Sequence, residues 1–251
     1  MSTRRLGLKR TSGFGGLRRP AYKDAILGDG AAGYWRQSEI SGTTMRDSSG
    51  NGRNGTYSSG VSLAQASLLT SDTADYSAFY TGNGSTGLAQ VAHASWMDTP
   101  SITIEAIIKP TVITALPMDF LVQDDDASPL SELGWRLFLA PSSGVGKLSV
   151  YLNTNVNNRS LQGAASIVVN QRVHAAFSFD NTTKLFALYA DGVQVAQSTL
   201  TGETRNLSTQ GLSIGKLSTW NAEIYTGYVD EVAWYSTALS AAQIALHSQV
   251  S

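Results

Sequence analysis

The side chains able to do chemistry are few and scattered. Hydrolysis of a glycosidic bond needs two carboxyl groups facing one another, about 5–10 Å apart. Glu105 is the one acid in the alternating run Ser101–Pro110 (SITIEAIIKP). Asp230 and Glu231 are neighbours in YVDEV, where strand alternation is expected to send them to opposite faces. Neither arrangement makes a catalytic pair. His93, His174 and His247 lie far apart in sequence, and no G-x-S-x-G elbow offers them a nucleophile, so they read as structural. The 251 residues contain no Cys, which removes a thiol nucleophile, a disulfide and a zinc-thiolate site together. Gly50-Asn51-Gly52 and Gly82-Asn83-Gly84 are turn chemistry, and no phosphate-binding G-x-x-x-x-G-K-[ST] occurs. The chain is expected not to be an enzyme.

Binding chemistry is better represented. Sugar rings stack on exposed aromatic faces, and Trp96, Trp220 and Tyr225, near loops or strand ends, are the candidate glycan contacts. Structural packing is the competing reading for each. Trp35, Trp135 and Trp234 lie in apolar runs and are expected in the core.

Charge is divided unevenly. Residues 1–19 carry six bases and no acid, whereas the remaining 232 residues hold 12 bases and 19 acids, for a net charge of −1. Arg4, Arg5, Lys9, Arg10, Phe14, Arg18 and Arg19 form a candidate partner-binding arm within residues 1–20, with the cations pairing to carboxylates. The arm lacks the apolar core of a secretory signal, and its Met1 argues against a cleaved targeting peptide. No apolar run approaches the roughly 20 residues of a membrane span. The acidic remainder does not suit nucleic acid. Asp124-Asp125-Asp126 reads as a solvated loop, or as a surface that faces the basic arm of a neighbour.

The elements that must position these residues are short strands. Ser101–Pro110 places Ile102, Ile104, Ala106 and Ile108 on one face. Gly134–Ala140 and Lys147–Leu152 read as a hairpin around the loop PSSGVG, with Trp135, Leu137, Leu139, Leu148, Val150 and Leu152 inward. Arg172–Asp180 alternates likewise, and Asp191-Gly192 between two apolar runs predicts a two-residue type I′ hairpin. Tyr225–Tyr235, apolar on both faces, reads as a central strand covered on both sides. Only the end looks helical, where Ser240-Ala241-Ala242-Gln243 has the form of a capping box. The expected fold is an all-β antiparallel sandwich over residues 21–251, with an extended arm before it and a short helix after it.

Four pieces in order carry a family resemblance. Asp47–Thr56 (DSSGNGRNGT), Ser101–Pro110, His174–Val195 and Gly227–His247 resemble successive blocks of laminin-G-like jelly rolls in the concanavalin A-like lectin/glucanase superfamily. The resemblance implies that jelly-roll fold. It also implies a structural Ca²⁺ site drawing on Asp47 and Asp230, although turn capping by Asp47 and a backbone bond to Asp230 would explain both residues equally well. The superfamily's glucanases carry E-x-D-x-x-E on one strand, and this sequence has no such motif. Tyr22–Arg36 is similar to the lead-in of such domains in tailed-bacteriophage virion proteins, differing at Gly30-Ala31-Ala32-Gly33 where Pro is usual. That likeness implies a multi-copy virion protein, a minor tail protein ahead of a capsid decoration. It would dock to tail or major capsid protein through residues 1–20. Adhesion to host surface glycans is the alternative role, and glycan hydrolysis the least favoured.

Overall fold

The computed structural model describes residues 19–81, 86–124, 133–216 and 223–251. The chain enters through helix α1 (Tyr22–Gly28) and a short strand β1 (Gly33–Trp35). Next come β2 (Thr44–Met45), β3 (Gly55–Tyr57), β4 (Val61–Ala66), β5 (Tyr76–Tyr80) and β6 (Ala89–Val91), then a 3-10 turn at Ser95–Met97. Longer strands follow: β7 (Ile102–Pro110), β8 (Met118–Asp124), β9 (Gly134–Ser142) and β10 (Val145–Asn153). After β11 (Asn158–Gln162), β12 (Val173–Phe179), β13 (Leu185–Ala190), β14 (Val193–Thr199) and β15 (Leu212–Ile214), the chain closes with β16 (Gly227–Tyr235) and helix α2 (Ala241–Val250).

The strands form two antiparallel sheets. The first runs β14-β13-β12-β7-β16-β5-β4, with β1 also paired to β16. The second runs β11-β10-β9-β8-β15-β6-β3-β2. Alternation explains how they meet. Ile102, Ile104, Ala106 and Ile108 of β7, with Val173, Ala175, Phe177 and Phe179 of β12, point between the sheets. There they meet Leu137 and Leu139 of β9 and Leu148, Val150 and Leu152 of β10. Trp135 and Trp234 meet edge-on at 5.5 Å in this layer, and Trp135 lies 5.2 Å from Phe177. Each such aromatic pair contributes about 0.5–1.5 kcal/mol beyond its burial. All three tryptophans expected in the core are buried there.

The other face of the first sheet is also covered. Ile107, Ala176, Ala187, Tyr189, Ala233 and Tyr235 pack against Tyr22 and Ile26 of α1 and Ile244 and Val250 of α2. This explains why β7, β12 and β16 are buried on both sides. The capping box is present: Ser240 Oγ accepts from the Gln243 backbone N–H, and Gln243 Oε1 accepts from the Ser240 N–H.

Two local expectations change. The sandwich expected from residue 21 onward opens instead on helix α1. Its seven residues have no side-chain N-cap, and a helix that short is not stable alone; burial of Tyr22, Ala25 and Ile26 holds it. The β9–β10 connection is tighter than the six-residue loop expected. Ser143 and Gly144, with φ of 50° and 83°, make a two-residue turn, and Pro141 pairs with Gly146 within the ladder. Asp191 and Gly192 adopt φ of 49° and 76°, as the type I′ reading requires.

Candidate functional site

Arg4, Arg5, Lys9, Arg10, Phe14, Arg18 and Trp220 lie outside the described residues, as do Asp125 and Asp126. Arg19 is described. Its guanidinium donates to the side-chain oxygen of Gln249, at the end of α2, at 3.2 Å. Tyr225 is not a surface platform. It is fully buried, with its ring 5.8 Å from Phe120 and its hydroxyl donating to the Tyr228 carbonyl at 3.0 Å. Trp96 is half-buried. One side packs edge-on against Trp234 at 5.5 Å, and the Arg53 guanidinium lies 4.1 Å over the ring, where a sugar would have to stack. Trp96 thus packs between Trp234 and Arg53.

Asp47 and Asp230 have separate hydrogen-bond partners. Asp47 caps its own turn: Oδ1 accepts from the Tyr34 and Ser49 backbone N–H groups, and Oδ2 from that of Arg53, at 2.8–3.1 Å. These bonds hold its carboxyl below the ordinary value against the opposing effect of burial. Asp230 accepts from the Leu68 N–H at 2.8 Å and clusters instead with Asp75 and Glu231. Each of the two acids thus has protein partners of its own, as turn capping and a backbone bond would give them.

The acid cluster arises from a bulge. Asp230 and Glu231 do not alternate as expected, because Glu231 has φ of 54° and the β16–β7 register slips between Asp230 and Ala233. Carboxylate oxygens of Asp75, Asp230 and Glu231 consequently lie within 4.8 Å of one another. The cation already there is Arg36, which pairs with Asp75 and, at 3.1 Å, with Glu231. Tyr34 also donates to Glu231. Burial pushes Glu231 up to about 8, and burial together with the charge of Glu231 raises Asp230 well above its usual range. The group is largely closed off from solvent and serves to neutralise charge.

Glu105 is likewise buried, beneath the two helices. It accepts from Tyr235 Oη at 2.6 Å and faces His174 Nε2 at 3.0 Å and His247 Nδ1 at 2.9 Å. Burial opposes its charge, but the hydrogen bonds from the two histidines outweigh burial and hold it below the usual range. His247 is satisfied at both ring nitrogens, whereas His174 is held through Nε2 alone, its buried Nδ1 having no hydrogen-bond partner among the described residues. His93, on the loop before Ser95, meets Asp98 at 3.0 Å.

The outer face of the second sheet is different, because among the described residues no helix lies on it. A groove of about 430 Å³ runs over β9, β10 and β11, lined by Phe138, Tyr151, Ser149, Ser160, Gln162 and Arg136 among others. Phe138 and Tyr151 stack with ring centroids 5.3 Å apart and planes 14° apart, and Tyr151 is 37% exposed. Gln162 donates to Ser149 Oγ at 3.1 Å. Arg136 forms the base. Its Nη1 pairs with Glu223 and, at 3.3 Å, with Asp119, while Nε lies 3.5 Å from Asp124. Burial pushes the fully buried Asp119 up to about 8, with Arg136 opposing the rise. The signal for this site lay in the strand parity. Once Trp135, Leu137, Leu148, Val150 and Leu152 point inward, Arg136, Phe138 and Tyr151 must point out.

Comparisons with known proteins agree with this architecture. The family pattern of the concanavalin A-like lectin/glucanases superfamily matches residues 82–245. No curated protein matches the chain. Among solved structures, the binding domain of Paraclostridial Mosquitocidal Protein 1 aligns at TM-score 0.67 and 13% identity over 88% of this chain and 52% of its own. The ligand binding domain of botulinum neurotoxin serotype D, in complex with N-acetylneuraminic acid, aligns at TM-score 0.64 and 13% identity over 91% and 52%. Domain 4 of AbnA, an extracellular arabinanase from Geobacillus stearothermophilus, in complex with arabinotriose, aligns at 0.58 and 18% identity over 87% and 98%. The chain thus spans about half the length of the toxin domains and nearly all of the arabinanase domain. With a lectin-like sandwich of two antiparallel sheets and a family pattern covering most of its length, this chain belongs to the concanavalin A-like lectin/glucanases superfamily.

Proposed function

We propose that the chain is a non-catalytic glycan-binding module whose contact surface is the groove over β9–β11. One observation carries the reading: Tyr151, backed by Phe138, offers a partly exposed aromatic ring on the outer face of the second sheet beside hydroxyl and amide side chains. Such a surface combines stacking with hydrogen bonding, as sugar recognition requires. A related fold in complex with arabinotriose supports it. Asp119 and Glu223 converge on one nitrogen of Arg136, and Asp119 is fully buried, so a guanidinium occupies the space a glycosidic bond would need. Binding to immobilised oligosaccharides tests the reading. Tyr151→Ala should weaken binding by on the order of tenfold with the fold intact by circular dichroism. Unchanged binding by this variant overturns the site.

We further infer where the module is carried. The six unopposed cations of residues 1–19 suit docking to an acidic protein surface, and the likeness of Tyr22–Arg36 to phage virion lead-ins favours a tailed-phage particle, tail ahead of capsid. The module would then be held at the particle surface in many copies. Deleting residues 1–19 should abolish incorporation into particles while leaving the unfolding transition in place. Normal incorporation of the truncated chain would sink this assignment.

A further inference from the structure

We propose, resting on the glycan-binding reading of this groove, that it selects neutral glycans and turns away those bearing carboxylates. The groove's positive charge is already committed. Among the described residues lining the groove, Arg136 is the only cation. An acidic sugar is normally held by a guanidinium that offers two parallel N–H groups to its carboxylate. Here Nη1 is directed at Asp119 and Glu223, Nε lies beside Asp124, and the guanidinium carbon sits 5.8 Å from the Tyr151 ring centre.

The balance of charge points the same way. Asp124 and Glu223 outnumber the single guanidinium even with Asp119 protonated. A ligand carboxylate approaching Tyr151 therefore meets a site of like sign. It would also have to draw Arg136 away from partners that are themselves largely buried, leaving them uncompensated. Neutral hydroxyls face no such cost. Ser149, Ser160, Asn158 and Gln162 present donors and acceptors together, which matches the dual character of sugar hydroxyls.

The test uses the full chain and immobilised oligosaccharides in matched pairs that differ by a carboxylate: galacto-oligosaccharides with oligogalacturonides, and lactose with sialyllactose. The neutral member of a bound pair should bind on the order of tenfold more tightly at low salt. The gap should narrow at 0.5 M NaCl, where screening acts within a few ångströms. Glu223→Gln should narrow it as well. If that variant fails to fold, the salt series on the unaltered chain decides the matter. Acidic members bound as tightly as neutral ones, with both losing binding in Tyr151→Ala, would overturn the selectivity and leave the groove as the glycan site. Glycan binding indifferent to Tyr151→Ala, or no binding to any pair, would overturn the site and the selectivity with it.

Discussion

His247 Nδ1 lies 2.9 Å from Glu105 Oε1, joining the last turn of the C-terminal helix to the middle of the first sheet. Its other ring nitrogen faces Asp29 Oδ2, also at 2.9 Å. An imidazole with a carboxylate at each nitrogen satisfies both only when both nitrogens carry protons. Burial works against that charge, but Glu105 and Asp29 outweigh it and raise the histidine above its ordinary value. Glu105→Ala would leave a buried imidazolium with half its partners and should cost about 3–5 kcal/mol in denaturant unfolding. Hydrogen exchange should show α2 released first. A loss below about 1 kcal/mol would mean the network is not holding the helix.

The dependence of stability on pH follows from several buried groups. His247 is raised above 6.5, so its contribution is complete below that value and fades as pH rises through the folded one. Asp119 and Glu231, each lifted to about 8 by burial, hold protons that the unfolded chain releases near 4, so stability falls as pH climbs between those limits. Glu105 acts in the opposite sense. Its contribution is present above its unfolded value of 4.5 and is lost as pH drops through the depressed folded one. The summed curve should peak in mildly acidic solution, near pH 5 by these linkages. Urea unfolding between pH 4 and 9 checks this. Asp119→Asn should flatten the alkaline limb, and a maximum at pH 8 or above would contradict the account.

Arg36 should prove more important than any divalent ion. Replacing it with Met strands Asp75, Asp230 and Glu231 together. The cost should be about 3–5 kcal/mol above pH 8, where the buried acids would be ionised, and should shrink as pH falls and they hold protons. The unaltered chain should unfold at the same temperature with millimolar Ca²⁺ or with EGTA. A rise of several degrees with Ca²⁺ would show that an ion joins this cluster.

The β13–β14 turn touches the terminal helix. A Cβ on Gly192 would stand 2.9 Å from Ser248 Cβ and 3.0 Å from Ala245 Cα, at a residue whose φ is 76°. Gly192→Ala should therefore cost about 1–3 kcal/mol, through backbone strain and crowding of α2. Thermal unfolding measures the loss. A neutral result would mean that the helix gives way without penalty.

Sequence periodicity carried the sandwich further than it carried the sites. The inward sets of β7, β9, β10 and β12 were legible because each alternates over at least five residues. The turn at Asp191-Gly192 was legible because its chemistry is specific. Helix α1 was not, since Tyr22, Ala25 and Ile26 make barely one turn of pattern and need α2 to stand against. The Asp230–Glu231 pair departs from alternation because a bulge breaks the parity on which alternation rests, and nothing local in YVDEV announces it. Tyr225 looked exposed from its place beside a turn, yet its hydroxyl finds the carbonyl of Tyr228 and its ring is buried. Phe138 and Tyr151 were implied by parity, but their stacking depends on a diagonal across β9 and β10 that only the register supplies.

The two helices give the sandwich a front and a back. They seal one sheet, and Arg19 rests against the end of α2 on that same side. The groove at Tyr151 opens from the opposite sheet. The described chain therefore enters on the sealed side, while its aromatic platform lies on the opposite layer.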